Sequence, residues 1–405
     1  MSTAYPKTFS ISTTALRINR SHYSIARDTL WKLQFFLILL SSSTSFFFLT
    51  NSVLFHDIKE GKIAEASKNS TMVIVGLTIT LKYILLLYHQ DSINDLISIV
   101  NKDYDIAKDY SEEEKAIVLK YANKGVTVTK FWLVFGFGTG AIFPVKAFGL
   151  MGYSYWKGEF VLVPMFDLTY PDRIEVYKNV TWIFVVLFAL CVIFGAYASS
   201  MYVERARFCC VSNCIILMST AYPISHTNHF TLVPIFMLHT CGQVDLLSQR
   251  ISKAFVEDVH ETKQNLRNII LKLQILYDFM DRVQNNFHIF YEYNMKATTF
   301  LIPLSMLQIL EFVSFVVGAV LHFYMPCYYS DLLMEMPENF WQSIYSCGWE
   351  KHPDKGVRQI VLFMMTRARI PMGISTVFYL INLDTFAEMC RHSYGILNLI
   401  NASCA

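Results

Sequence analysis

The chain has 405 residues, of which 54% are hydrophobic and only 16% charged. A soluble domain carries about 25% charge, so a chain this poor in charge could not cover its surface as a cytosolic enzyme does. Formal net charge is +2, from 34 basic and 32 acidic side chains, a balance that gives nucleic acid no footing.

Residues 1–32 are polar and hold Lys7, Arg17, Arg20, Arg27 and Lys32 against Asp28. No small-residue cleavage site follows the first apolar run, so that run is expected to serve as its own insertion signal. A bilayer core of about 30 Å takes roughly 20 apolar residues of helix. Leu33–Phe55, Met72–Tyr88 (with Lys82 inside), Val126–Met151, Val180–Tyr202 and Thr298–Met325 meet that requirement. Met372–Ile400 is a weaker run because it holds Asp384, Glu388 and Arg391, and Val211–Leu238 is apolar but holds His226, Asn228 and His229. Six spans follow from these runs, and seven or eight are open. Aromatics reach 15%, with 32 Phe and 23 Tyr, which suits apolar walls and interfacial belts.

Lys and Arg in short flanking loops set orientation. They put the N-terminus in the cytoplasm, with 89–125 and 203–290 inside. The sequons at Asn69, Asn179 and Asn401 would lie outside in a seven-span chain, and Asn19 inside. The inner stretches are expected to be helices projecting below the membrane. In 91–105, Ile93, Leu96, Ile97 and Val100 recur at helical spacing beside Asp91, Asp95, Asp103 and Asp105. Ser111-Glu112-Glu113-Glu114 matches a capping box that opens the next helix. Val244, Leu247, Ile251, Phe255 and Val259 form one stripe, and Ile269, Leu273, Leu276 and Met280 another. An apolar stripe on a polar helix packs against a neighbour.

No catalytic set stands out, and the chain is expected to be no enzyme and to need no cofactor. The nine cysteines have no regular spacing, and Cys209, Cys210 and Cys214 lack the paired C-x-x-C and the nearby His pair of a zinc site, so no metal is expected. Gly136 and Gly140 read as close helix packing, with Pro144 one turn later able to kink the span and Phe137, Phe143 and Phe148 around it. Glu204-Arg205 stands at the wrong place for the acidic-Arg pair of a G-protein-coupled receptor. Asp384, Glu388 and Arg391 share one helix face. They mark either an ion path or a helix that starts below the membrane.

The C-terminal third resembles the insect odorant receptors. The resemblance rests on Ile344-Tyr-Ser-Cys-Gly-Trp-Glu350, on the run from Arg358 to Arg367-Ala-Arg-Ile-Pro371, on Leu383-Asp-Thr-Phe386 and on Ser393-Tyr394, with His239-x-Cys-Gly-Gln243-x-Asp-x-Leu247 before them. It implies an all-α membrane protein of seven transmembrane helices, with a cytoplasmic N-terminus, an extracellular C-terminus and helices projecting into the cytoplasm. The layout is a 1–32 cytoplasmic segment, spans one to four over 33–202, and a cytoplasmic helical region over 203–297. Spans five and six follow over 298–333, an anchor region over 334–371 and a last, pore-lining span over 372–405.

The resemblance further implies a lepidopteran-like tuning subunit in the plasma membrane of olfactory neurons. Such a subunit takes a small volatile odorant and assembles with the olfactory co-receptor (Orco) in a hetero-tetramer, a ligand-gated non-selective cation channel. The matching odorant positions are Thr80, Tyr83, Phe137, Gly140, Phe143, Phe148, Phe184, Phe188 and Met306. Leu399 and Ser403 match pore positions, and Tyr345, Cys347 and Trp349 match subunit assembly. Two departures stand out: Arg205–Asn228 looks like extra sequence, and Thr298–Met325 runs on where the family has an outer loop, with Gln308–Glu311 the candidate turn. The alternatives are a seven-span G-protein-coupled receptor and a nonfunctional or splice-variant member of the odorant receptor family.

Overall fold

The computed structural model describes residues 28–29, 31–33, 36, 47, 50–158, 232–306 and 309–404. A π-helical turn, Val53–Asp57, leads to α1 (Ile63–Tyr88) and α2 (Gln90–Ile106), which meet at His89. A 3-10 turn, Ala107–Asp109, precedes α3 (Glu112–Trp156). Then come α4 (232–252), α5 (Val259–Met306) and α6 (Ile309–Ser346). A second 3-10 turn, Trp349–Lys351, leads to α7 (Lys355–Ala368), and α8 (Leu383–Cys404) closes the fold. Among the described residues the only β pairing is an isolated bridge between Ser375 and Leu380.

Local chemistry sets the ends of these helices. The Ser111 hydroxyl accepts from the Glu114 amide while the Glu114 carboxylate accepts from the Ser111 amide, the capping box read from the sequence. The Asp354 carboxylate accepts from the Val357 amide at 2.8 Å and opens α7. Gly348 adopts φ +79°, the left-handed conformation that lets the chain turn off α6. Between α4 and α5 the helix breaks over 253–258, where the Thr262 hydroxyl bonds both the amide and the carbonyl of Val256. The 244–282 stretch is therefore two helices: Val244, Leu247 and Ile251 lie on α4, Phe255 falls in the break and Val259 opens α5.

The helices pair in antiparallel fashion. Ser67 on α1 donates to the Leu304 carbonyl on α5 at 2.8 Å, and Asn286 on α5 donates to Ser92 on α2, also at 2.8 Å. α3 runs against α4: Tyr121 donates to Asp245 at 3.3 Å, Arg250 pairs with Glu114 at 2.7 Å, and Lys253 pairs with Glu113 at 2.7 Å. α5 and α6 form a hairpin, because Gln284 and Ser330, far from its tip, both bond the segment at 374–375. At the other end of α5, Lys263 pairs with Asp354 at 3.1 Å. Residues 307–308, between α5 and α6 in sequence and including Gln308 of the expected turn, lie outside the described residues.

α4 is the centre. Leu232, Phe236, Val244 and Ile251 have no exposed surface, and α2, α3 and α5 enclose them. The predicted stripes bury as expected: Ile93, Leu96, Ile97 and Val100 on α2, and Ile269, Leu273, Leu276 and Met280 on α5. One carboxylate in this core is fully matched. Asp103 accepts from His239 at 3.1 Å and from Lys272 at 2.8 Å, joining α2, α4 and α5. Asn69 is buried too, donating to Asp57 at 2.9 Å, so that sequon offers no free amide for a glycan.

Among the described residues no helix is long and apolar enough to cross a membrane. Of the apolar runs read from the sequence, Val180–Tyr202 lies wholly outside those residues and Leu33–Phe55 largely so. In the last run, 372–382 is not helical, and the helix begins only at Leu383. α3 and α5, with 45 and 48 residues, are each roughly 70 Å long.

Burial alone would raise the Asp103 carboxyl, but the His239 bond and the Lys272 ammonium outweigh it and hold the group below its usual range. A lowered folded-state value means that the stabilisation is complete above the unfolded carboxylate range and lost as pH falls through the folded value. We expect Asp103→Asn to destabilise the detergent-solubilised chain by about 3 kcal/mol at neutral pH. In thermal melts the gap to wild type should close as pH falls below about 4; a gap that persists there refutes this role.

Candidate functional site

Three groups of residues can be placed. The first is the expected odorant set. Thr80 lies on α1, where its hydroxyl donates to the Gly76 carbonyl at 2.9 Å. Its own helix therefore takes the hydroxyl hydrogen, which leaves the methyl group and an acceptor oxygen for a ligand. Tyr83 is on the same helix, and Phe137, Gly140, Phe143 and Phe148 are on α3; their side chains lie outside the described set. Phe184 and Phe188 lie outside the described residues altogether. Met306 is the last residue of α5 and is exposed.

The helices that carry these positions also bury a polar layer that sequence reasoning passed over. Lys82, read only as a blemish in an apolar run, is 1% exposed, with its ammonium 5.3 Å from the Phe290 ring centroid. Trp132 on α3 meets His322 on α6 edge to face at 4.9 Å. A Cβ at Gly318 would come within 3.1 Å of Phe135, so the absence of a side chain there admits the α3 ring. The Tyr291 hydroxyl and the Asn294 amide nitrogen are buried without a hydrogen-bond partner among the described residues. A lysine and a histidine inside apolar runs were the available signal, since ionisable groups in such runs face protein or water.

The second group is the expected assembly set. Tyr345 is 61% exposed and stacks on Trp341 with centroids 5.6 Å apart, and the Arg369 guanidinium lies 5.5 Å from the Trp341 centroid. Cys347 and Trp349 are half-buried and pack inward on the core. The Cys347 thiol donates to the Ile344 carbonyl at 2.9 Å, and burial pushes its pKa up, as it pushes Cys241 to about 12. Both thiols are therefore protonated at neutral pH and act by packing. Tyr277 donates to the Ile370 carbonyl at 2.7 Å with Arg367 over its ring at 4.0 Å, pinning the end of α7 to α5. α7 buries Val357, Val361, Met364 and Ala368 and turns Leu362 and Phe363 outward, the latter 82% exposed. Phe363 and Arg369 fall in the run quoted for the resemblance but were given no role, and Trp341 was not singled out, because exposure at a surface carries no local mark.

The third group is on α8. Asp384, Glu388, Arg391, Gly395, Leu399 and Ala402 recur at spacings of three and four and are all exposed, Leu399 by 71%. Phe386 and Met389 face inward, Phe386 edge-on to Tyr324 at 5.4 Å. Ser403 continues the helix, and its side chain lies outside the described set. The outward face thus begins with charges, and farther along Gly395, Leu399 and Ala402 lie beside the exposed Asn398 and Asn401. Among the described residues no His, Cys, Asp and Glu side chains gather in a metal-holding group.

The sequence family described as 7tm odorant receptor matches residues 62–394. Odorant receptor 13a of Drosophila melanogaster is 23% identical over 42% of this chain and 48% of its own length. Odorant receptor 19a of the same species is 33% identical over 18% of this chain and 19% of its own length. The match therefore spans about half the length of the first of these relatives and less of the second. The solved structure of the olfactory receptor OR5 from Machilis hrabei superposes with a TM-score of 0.71 at 14% identity, covering 96% of both chains. Its complex with eugenol superposes equally, at a TM-score of 0.71 and 13% identity over 97% of both. Matched over residues 62–394, the chain belongs to the 7tm odorant receptor family.

Proposed function

We propose that the chain is a tuning subunit that binds a small volatile apolar ligand and, with the olfactory co-receptor, forms a ligand-gated non-selective cation channel. It is a receptor and not an enzyme. It sits in the plasma membrane of olfactory neurons as part of a hetero-tetramer, with seven spans, its N-terminus inside and its C-terminus outside. The apolar runs of the sequence and the family membership support the spans. Helices of roughly 70 Å also support it, because they are about twice the thickness of a bilayer core and would project beyond it.

The observation that carries the channel reading is the outward face of α8. In such a hetero-tetramer each copy of this chain would turn Asp384 and Glu388, with Arg391 one turn farther on, toward the axis at the inner end, where acidic side chains draw cations. Leu399 would stand at the outer end as an apolar constriction. The exposed Leu362 and Phe363 on α7, with the Tyr345–Trp341 stack, favour subunit contact at the inner end. Odorant binding would draw mainly on apolar burial, about 5 kcal/mol for a ligand that removes about 200 Å² of surface from water. To open the channel, the odorant must bind the open state more tightly than the closed one.

The test is co-expression with the co-receptor under an odorant panel. We expect a cation current with at least one apolar volatile; silence with verified surface expression overturns the reading. With a responding odorant, Asp384→Asn with Glu388→Gln should lower single-channel cation conductance without changing odorant sensitivity. An N-terminal epitope should stain only permeabilised cells, and staining of intact cells would favour the G-protein-coupled alternative. Trp349→Ala should lower the melting temperature of the solubilised subunit by a loss of about 2 kcal/mol. Tyr345→Ala should change it by less than about 0.5 kcal/mol yet reduce the co-receptor recovered with the subunit.

A further inference from the structure

We infer that α3 carries a binding site for an anionic phospholipid at the inner leaflet, formed by Lys120, Lys124 and Lys130 with Phe131 and Val134. The inference rests on the bilayer arrangement proposed above. From 115 to 157 the sequence holds Lys115, Lys120, Lys124, Lys130, Lys146 and Lys157 and no acidic residue. Neighbouring lysines in this part of the fold have carboxylate partners: Lys115 holds Glu112, Lys253 holds Glu113, Lys272 holds Asp103 and Lys263 holds Asp354. Lys120, Lys124 and Lys130 are exposed, and no carboxylate pairs with them among the described residues. The ammonium groups of Lys120 and Lys124 lie 5.3 and 5.4 Å from the Tyr121 ring centroid. That ring anchors the two stems at one level of the helix, while its hydroxyl is held by Asp245.

Helical geometry puts the three lysines within an arc of about 120° over about 15 Å of rise. Phe131 and Val134 fall in the same arc and are exposed, Val134 by 72%. A patch of unpaired ammonium groups that passes directly into exposed apolar surface fits a molecule with an anionic head and an acyl tail. Free phosphate would use only the first half of it. Lysine stems can lie along the apolar surface while their charges reach the headgroup level. At the other end of α3, Tyr153, Tyr155 and Trp156 are exposed beside Lys157, an aromatic girdle of the kind found at a membrane surface. The basic patch therefore sits where the same helix would leave the opposite, inner side.

The test uses the full-length chain in nanodiscs of phosphatidylcholine containing either photoactivatable phosphatidylserine or photoactivatable phosphatidylcholine, with mass spectrometry of crosslinks to the 116–134 segment. Each lysine near an anionic surface is worth a factor of about five at modest salt. We expect phosphatidylserine to crosslink there at least about fivefold more than phosphatidylcholine. K120Q/K124Q/K130Q should bring the ratio close to one, and K120R/K124R/K130R should preserve it. Equal labelling by the two lipids, or a preference that survives the Gln variant at an unchanged melting temperature, overturns the site. Inorganic phosphate at matched ionic strength should leave the preference intact; its loss in phosphate but not in chloride would reassign the patch to a free anion and overturn the lipid proposal. Both leaflets of the disc are alike, so the readout does not depend on which way the chain faces. A failed orientation would appear only in the epitope experiment.

Discussion

One carboxylate decides how α2, α4 and α5 fit together. Asp103 lies on α2, and its two oxygens are taken by His239 of α4 and Lys272 of α5. Removing a charged group from water is costly, and the cost is offset only when good partners are in place. Any slide of α4 along its neighbours would leave that charge buried without its matches. The packing of α4 supplies the bulk of the stabilisation, since Leu232, Phe236, Val244 and Ile251 lose all their exposed surface. Apolar burial is tolerant of small shifts, whereas an ion pair at 2.8 Å is not. The register that Asp103 selects also brings Tyr121 to Asp245 and Arg250 to Glu114, pairs nearer the surface that would hold little by themselves.

With the register set, the turns determine where the functional faces go. α1 and α2 change course at His89, where an apolar run gives way to an amphipathic one, and this delivers Asp103 to the core. The positive φ of Gly348 lets the chain leave α6, and the Asp354 cap restarts it as α7. Tyr277 then holds the end of α7 through the Ile370 carbonyl. Gln284 and Ser330 grip the segment before α8 from both arms of the α5–α6 hairpin. Motion of α8 relative to α7 would therefore have to pass through that segment, which links the exposed surface of α7 to the helix that bears Leu399.

Much of the local architecture was readable from the sequence, because its causes are local. The Ser111 capping box needs only residues three apart, and the stripe of Ile93, Leu96, Ile97 and Val100 follows from helical period alone. The shared face of Asp384, Glu388 and Arg391 was legible for the same reason. Asp103 was read as part of the polar side of its helix beside Asp91, Asp95 and Asp105, since its partners lie 136 and 169 residues away. The break at 253–258 escaped because Val244, Leu247, Ile251, Phe255 and Val259 keep an apolar rhythm through it. The signal against helix is one hydroxyl, Thr262, reaching back six residues to Val256. Of the expected sites, Thr80, Met306, Tyr345, Cys347, Trp349 and Leu399 have described surroundings, and only Tyr345, Met306 and Leu399 among them are exposed. Burial depends on tertiary neighbours, which a single sequence does not display.

The outward face of α8 places a constraint on whatever surrounds it. Lipid would penalise Asp384, Glu388 and Arg391, since ionised groups facing hydrocarbon are costly. Water would accept those three but gains nothing from Tyr394 and Leu399, which stand exposed farther along the helix. A single uniform medium therefore suits neither end. An environment that is aqueous at Asp384 and dry at Leu399 suits both. The inward face, with Phe386 against Tyr324 and Met389 in the core, ties that gradient to the hairpin that carries Met306. From Ile309, where α6 opens, to Tyr324, where Phe386 meets it, is about 22 Å of helix, so the end of α5 is joined to the first turn of α8 through less than half of α6.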